Sequence, residues 1–154
     1  MLKTSSQSIL FIGSLLIWGI VTVLVSSQIQ PDTTVITHIS ITGKATTSKS
    51  VADLYWLLGI SLAIISGTFF MSLYPEKMNY PFMVTDENRK HSYQKMRLFL
   101  GMICLATTTV FMSIALKSVN LLQINNVTIV LTSMVFFSAV LPMIMVFVFK
   151  PSYR

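Results

Sequence analysis

The chain has 154 residues, of which 53% are hydrophobic and only 10% charged, with a mean hydropathy of +0.73. A soluble domain carries roughly 25% charged residues, so this composition excludes an ordinary water-soluble fold and points to an integral membrane protein. The net charge of +6 raises nucleic acid as a partner, but the basic residues cluster as a topology signal, and no nucleic-acid partner is expected.

The first apolar segment occupies about 9–26, around "ILFIGSLLIWGIVTVLV". A span needs about 20 apolar residues, so this one sits at the short limit. Its alternative reading is a secretory signal peptide, because Lys3 precedes it and small residues follow. Against that, the run is longer than a typical signal core and no clear Ala-x-Ala site follows.

A loop over 27–53 comes next, rich in Thr and Ser and containing "TTVITHISITGK". Val35, Thr37, Ile39 and Ile41 alternate with Ile36, His38, Ser40 and Thr42. This predicts a short strand that turns at Gly43-Lys44. A lone strand pair is marginal in water, so it is expected to rest on the helix ends or on a partner.

The second span covers 54–73. Gly59, Ala63 and Gly67 recur every fourth residue on it, a small-residue stripe that lets another helix approach closely.

Residues 74–97 form the polar block of the chain and carry eight of its sixteen charged side chains. "YPEKMNYPFMV" contains two prolines and reads as an extended connector. "TDENRKHSYQKMR" then predicts a helix capped by Thr85, with Asp86 and Glu87 in its first turn. Asp86 with Lys90, and Glu87 with His91, are spaced to meet on one face. No proline interrupts the chain from Asp86 to Leu116, so the third span, 98–116, is expected to continue this helix. Tyr93, Met96 and Leu100 fall on one stripe that can dock on the neighbouring helix ends.

The fourth span covers 127–149, with Pro142 expected to kink it. None of the four spans contains a charge. Thr107, Thr108, Thr109 and Ser113, with Thr132, Ser133 and Ser138, are expected to bond helix carbonyls or neighbouring helices rather than to line a polar path.

With four spans, Lys3, Lys77, Arg89, Lys90, Lys95, Arg97, Lys150 and Arg154 lie on one side. Only Lys44, Lys49 and Lys117 lie on the other. The positive-inside rule places both termini and the 74–97 block in the cytoplasm. The same residues are attracted to anionic lipid. The fold expected is an all-α membrane protein. It is a four-transmembrane-helix bundle with a short extracellular β-like loop and a cytoplasmic helical extension of the third span, forming one membrane domain over 1–154.

The reactive side chains are few. His38 has no second His, Cys or carboxylate cluster beside it, so no metal site is expected. His91 sits among charges as a solvated helix residue. Cys104 is the lone cysteine, lies inside a span and has no partner for a disulfide; apolar burial disfavours its thiolate. No HExxH, phosphate loop or intramembrane carboxylate pair is present. No enzyme activity and no cofactor are expected. Ion-coupled transporters usually carry ionisable residues in the membrane, and their absence from the spans disfavours that class.

The stretch "NYPFMVTDENRKHSYQKMR" resembles a signature of the SdpI-type family of bacterial toxin-immunity membrane proteins. The matching residues are Asn79, Tyr80, Pro81, Thr85, Glu87, Asn88 and Tyr93. The 27–53 loop is similar as well, through Pro31, Asp32, His38, Gly43 and Lys49. This chain departs from the family pattern at Ser40 and Lys44, where the family has Asn and an acidic residue. One residue is also inserted between Asp32 and His38. One span follows the matched region, where the immunity protein has more.

The resemblance implies a multi-pass protein of the bacterial cytoplasmic membrane. It would bind a peptide toxin through the outer loop, or a regulator through the cytoplasmic block, and so confer immunity or signal. Two other classes stay open: an accessory subunit of a larger membrane complex such as an exporter, and a small pore or transporter.

Overall fold

The structure is a computed structural model. It describes residues 6–30, 34–40, 42, 44–48, 50–80, 82–123, 125–135, 138 and 142, with the backbone alone at 6, 7, 37–39, 126 and 129. In chain order it contains α1 (Ser6–Ser27), β1 (Val35–Ile39), β2 (Ala45–Ser48), α2 (Ala52–Leu73), a single 3-10 turn (Pro75–Lys77), α3 (Arg89–Ser118) and α4 (Asn126–Val135). The molecule is mostly helical, and α1, α2 and α3 are long and apolar enough to cross a membrane. The expected fourth span begins with α4. The rest of the 127–149 segment lies outside the described residues, apart from positions 138 and 142.

α1 and α2 are apolar all round, as membrane-length helices are. On α1, Ile9, Ile12, Leu15, Leu16, Ile20, Val23 and Leu24 are exposed, while Phe11, Val21, Val25 and Ser14 are buried. Lipid tails accept the exposed aliphatic side chains, while a small residue such as Ser14 lets helix backbones pack. Most buried hydroxyls satisfy themselves within their own helix. Ser14 donates to the Leu10 carbonyl at 2.9 Å, Ser61 to Leu58 at 2.8 Å and Thr108 to Cys104 at 2.8 Å. The exposed Thr109 and Ser113 do the same, as expected, donating to Leu105 and Thr109.

α3 is the central helix and packs on both α1 and α2. One core cluster joins Phe11, Ile65, Met96, Leu100 and Cys104. The second joins Val21, Val25, Val35, Leu54, Leu58, Met112 and Ala115. Late α1, early α2 and late α3 therefore meet at one end, so α1 and α3 run parallel and α2 runs against them. Trp18 packs against both clusters. Its indole N–H donates to the Leu58 carbonyl of α2 at 3.1 Å, an interhelix bond in the apolar interior.

β1 and β2 pair antiparallel, with a register irregularity between Ile36 and His38 that leaves Thr37 as the extra residue of a bulge. The strand expectation is met, and the turn runs between Ser40 and Lys44. Val35, at 1% exposure, fixes the hairpin to the second core cluster. The pair is stable here because the helix ends supply the third layer that an isolated hairpin lacks.

Two expectations need correction. First, α3 starts at Arg89, not at a Thr85 cap. Residues 86–88 form a turn instead. The reason is that the Asn88 side chain holds the backbone before it, so the chain becomes helical only after Asn88. Asp86 accordingly pairs with Arg89 rather than Lys90. Second, the connector is not wholly extended, since Pro75–Lys77 makes a 3-10 turn. Gly59, Ala63 and Gly67 face away from the helices described and stay open to a further one. All three are exposed, and a side chain added at either glycine would meet nothing within 4 Å. The face of α2 that turns inward carries Leu54, Leu58, Ser61, Ile65 and Ser72.

Candidate functional site

The family-like residues fall into two groups, at opposite ends of the helices. One belongs to the hairpin, against Val21, Val25 and Met112. The other belongs to the connector before α3, against Phe11, Met96 and Leu100. Along α3, Leu100 and Met112 are separated by about 18 Å at 1.5 Å per residue. The two halves of the signature are therefore separate surfaces and not one composite site.

At the hairpin end, the His38 backbone pairs with Thr46. Its side chain, and all of Gly43 and Lys49, lie outside the described residues, as do Pro31 and Asp32. Lys44 is exposed at the turn. Its N–H donates to the Ser40 hydroxyl at 3.1 Å, and the Ser40 N–H donates to its carbonyl at 2.9 Å. Ser40 thus closes the turn from both its side chain and its backbone.

At the connector end, two sets of residues come together. Tyr80 lies half-buried with its ring 6.1 Å from that of Tyr93 and 5.9 Å, edge-on, from that of Phe82. Its hydroxyl donates to the Pro75 carbonyl at 2.8 Å, closing the loop on the 3-10 turn. Met78, Tyr80 and Phe82 pack onto the first core cluster, so the connector covers that end of the helices. Burial, then the neighbouring Tyr93 and Glu76, push the Tyr80 phenol above its ordinary pKa, while Arg97 opposes them.

The second set centres on Asn88. Its Oδ1 accepts the Thr85 N–H at 2.9 Å, and its Nδ2 donates to the Met83 carbonyl at 3.2 Å. Ser92, buried in the first α3 turn, donates to the same Oδ1 at 3.4 Å. Asn88 is thus a clamp between loop and helix. Thr85 contributes backbone here, which explains why a threonine cap is not formed. Asn79 and Glu87 are exposed and join neither set. Pro81 lies outside the described residues.

Arg97 is a positioning residue that carried no motif in the sequence. Its Nε donates to the Ser72 carbonyl at 3.1 Å, at the end of α2. A cation there complements the partial negative charge of a helix C-terminus. Being the last charge before an apolar run was the only available signal. Lys77 lies 5.0 Å from the centre of the Tyr74 ring, in cation–π geometry.

Among the described residues, no three His, Cys, Asp or Glu side chains gather as a metal site. The described residues present a polar hairpin at one end and a basic, aromatic connector at the other. No family model, no curated protein and no solved structure matches the chain.

Proposed function

We propose that the protein is a binding protein of the bacterial cytoplasmic membrane, conferring immunity to, or signalling in response to, a membrane-active peptide toxin. The observation supporting this reading is the clamped connector. Tyr80, Thr85, Asn88 and Tyr93, which match the toxin-immunity signature, contact one another in the two sets and hold the loop on the helices. In this reading the hairpin faces outward and meets the peptide first, with His38, Gly43 and Lys49 as its contact residues. The basic connector faces the cytoplasm, meets a regulator or anionic lipid, and carries both termini on its side of a four-span protein.

The test is expression in a sensitive strain. Tolerance to a cognate peptide should rise. The double variant His38→Ala, Lys49→Ala should lower that tolerance at unchanged protein level. Equal protection by variant and parent would remove the hairpin contacts from the mechanism. No gain of tolerance to any peptide, including one encoded beside the gene, would end the immunity reading.

One observation favours a second reading, an accessory subunit of a larger membrane complex. Gly59, Ala63 and Gly67 leave an open face on α2 that suits a close helix partner. Under that reading, Gly59→Leu with Gly67→Leu releases a co-purifying membrane protein and no peptide tolerance is seen. A small transporter, the remaining class, predicts solute flux in proteoliposomes.

A further inference from the structure

The hairpin has a seated strand and an outer one. β1 lies against α2 and α3 and buries Val35. β2 stands away from them, with Ala45, Thr46 and Thr47 exposed in succession. The Ser40 N–H to Lys44 carbonyl bond marks Ser40–Lys44 as a hydrogen-bonded pair. In an antiparallel ladder such pairs alternate with non-bonded ones. Lys44 and Thr46 therefore turn their N–H and C=O groups towards β1, while Ala45 and Thr47 turn theirs outward. Among the described residues, no backbone bond outside the ladder engages Ala45 or Thr47. Such an edge is a template for a further strand.

Charge decides which strand it suits. Lys44 precedes β2 and Lys49 follows it in the chain. Antiparallel pairing of two copies through β2 would bring the Lys44 of each beside the Ser48 end of the other, which Lys49 follows in the chain. Like charges facing each other across strands are destabilising. An incoming strand with an acidic side chain near each end meets the opposite situation. We propose that β2 is a strand-addition site for an extended peptide segment with acidic side chains flanking a run matched to its four residues. That a peptide is the visitor at this surface rests on the immunity reading; the edge geometry and charge pattern do not.

The full chain in nanodiscs is tested with two probes, acetyl-Glu-Thr-Val-Thr-Val-Glu-amide and acetyl-Lys-Thr-Val-Thr-Val-Lys-amide, read by residue-resolved amide exchange. Saturating acidic peptide should slow exchange at Ala45 and Thr47 by about fivefold, the worth of one net backbone hydrogen bond. The basic peptide should not. Ala45→Pro with Thr47→Pro removes only outward N–H groups, so it should abolish that protection while Thr46 stays in its ladder. Lys44→Glu, which leaves the backbone intact and Lys49 in place, should abolish the preference between the probes.

Three results would overturn the proposal. One is slow exchange at Ala45 and Thr47 without peptide, whether constant or rising with protein concentration. Another is equal protection by both probes. The third is persistence of the acidic preference in Lys44→Glu. Each is independent of tolerance in cells: a failed edge with tolerance intact leaves the immunity reading standing, and a working edge with no tolerance removes immunity alone.

Discussion

Asn88 does more than its neighbours, because one amide group serves as both acceptor and donor across the loop–helix junction. Asn88→Ala should therefore cost about 1 kcal/mol, the typical worth of a helix-end side-chain contact. Thr85→Ala should stay within about 0.5 kcal/mol, since the clamp uses only its backbone. Melting of the two variants in one detergent checks the pair; equal losses would restore Thr85 as the cap. Tyr80 adds a pH dependence. Its folded pKa is raised, so the stability it contributes is complete below the unfolded value of about 10 and is lost as pH rises through the folded value. Ionisation would also remove the proton donated to Pro75. Connector stability should fall above about pH 10 in the parent, with a smaller fall in Tyr80→Phe, followed by amide exchange of Met78 to Val84. At the far end of α3, Asn120 has φ of 59°, with its N–H bonded to Lys117 and the next N–H, of Leu121, bonded to Leu116. This is a Schellman ending. Asn120→Gly should be tolerated, whereas Asn120→Val should cost at least about 1 kcal/mol by forcing a β-branched residue into the left-handed region.

Among the elements, α3 sets the geometry. Its 30 residues extend about 45 Å at 1.5 Å per residue, against a hydrocarbon core of about 30 Å. The apolar part begins at Leu98, so the Arg89–Arg97 turns form a charged stem ahead of the membrane-length part. Arg97 ties that stem to the end of α2. α2 itself has a closed face towards α3 and an open face at Gly59 and Gly67. Gly59→Ala should raise helix stability by about 0.5 to 1 kcal/mol if lipid alone meets that face, because glycine is the poorer helix former and no atom obstructs the added methyl. A fall in the melting temperature of the isolated chain would show that the face is packed.

At the scale of the whole molecule, the hairpin and connector mark the two ends of three membrane-length helices. The proposed orientation is checked with single cysteines at Thr42 and Glu87, both exposed, in a Cys104→Ala background. An impermeant maleimide on intact cells should label position 42, and position 87 only after permeabilisation. The opposite pattern reverses the orientation; labelling of both excludes it. Ser92 is unsuitable for this purpose, because its burial at 2% exposure shields it from reagent on either side.

Three of the four expected membrane-length segments, their approximate ends and the strand pair were legible in the chain itself. Lipid makes that possible: a spanning segment must satisfy its backbone internally and be apolar over a set length, which are local properties. The continuity of the stem with the third span was legible for the same reason, since no proline or glycine-rich break intervenes. Which faces turn inward was not. Lipid tails are as apolar as Leu, so a helix that is hydrophobic all round carries no stripe marking its interior. The Gly59–Ala63–Gly67 stripe marked a face that a close helix could approach, while the buried face of α2 carries Leu58, Ser61 and Ile65. The long-range contacts were equally hidden. Trp18 meets Leu58 and Arg97 meets Ser72 across 40 and 25 residues of sequence, and no local pattern encodes such a meeting. At the stem, several polar residues in succession were each able to cap a helix. Only the folded connector, with Tyr80 closed on Pro75 and Met83 brought beside the helix start, set that start after Asn88, whose side chain bonds the loop and not the first helical N–H groups.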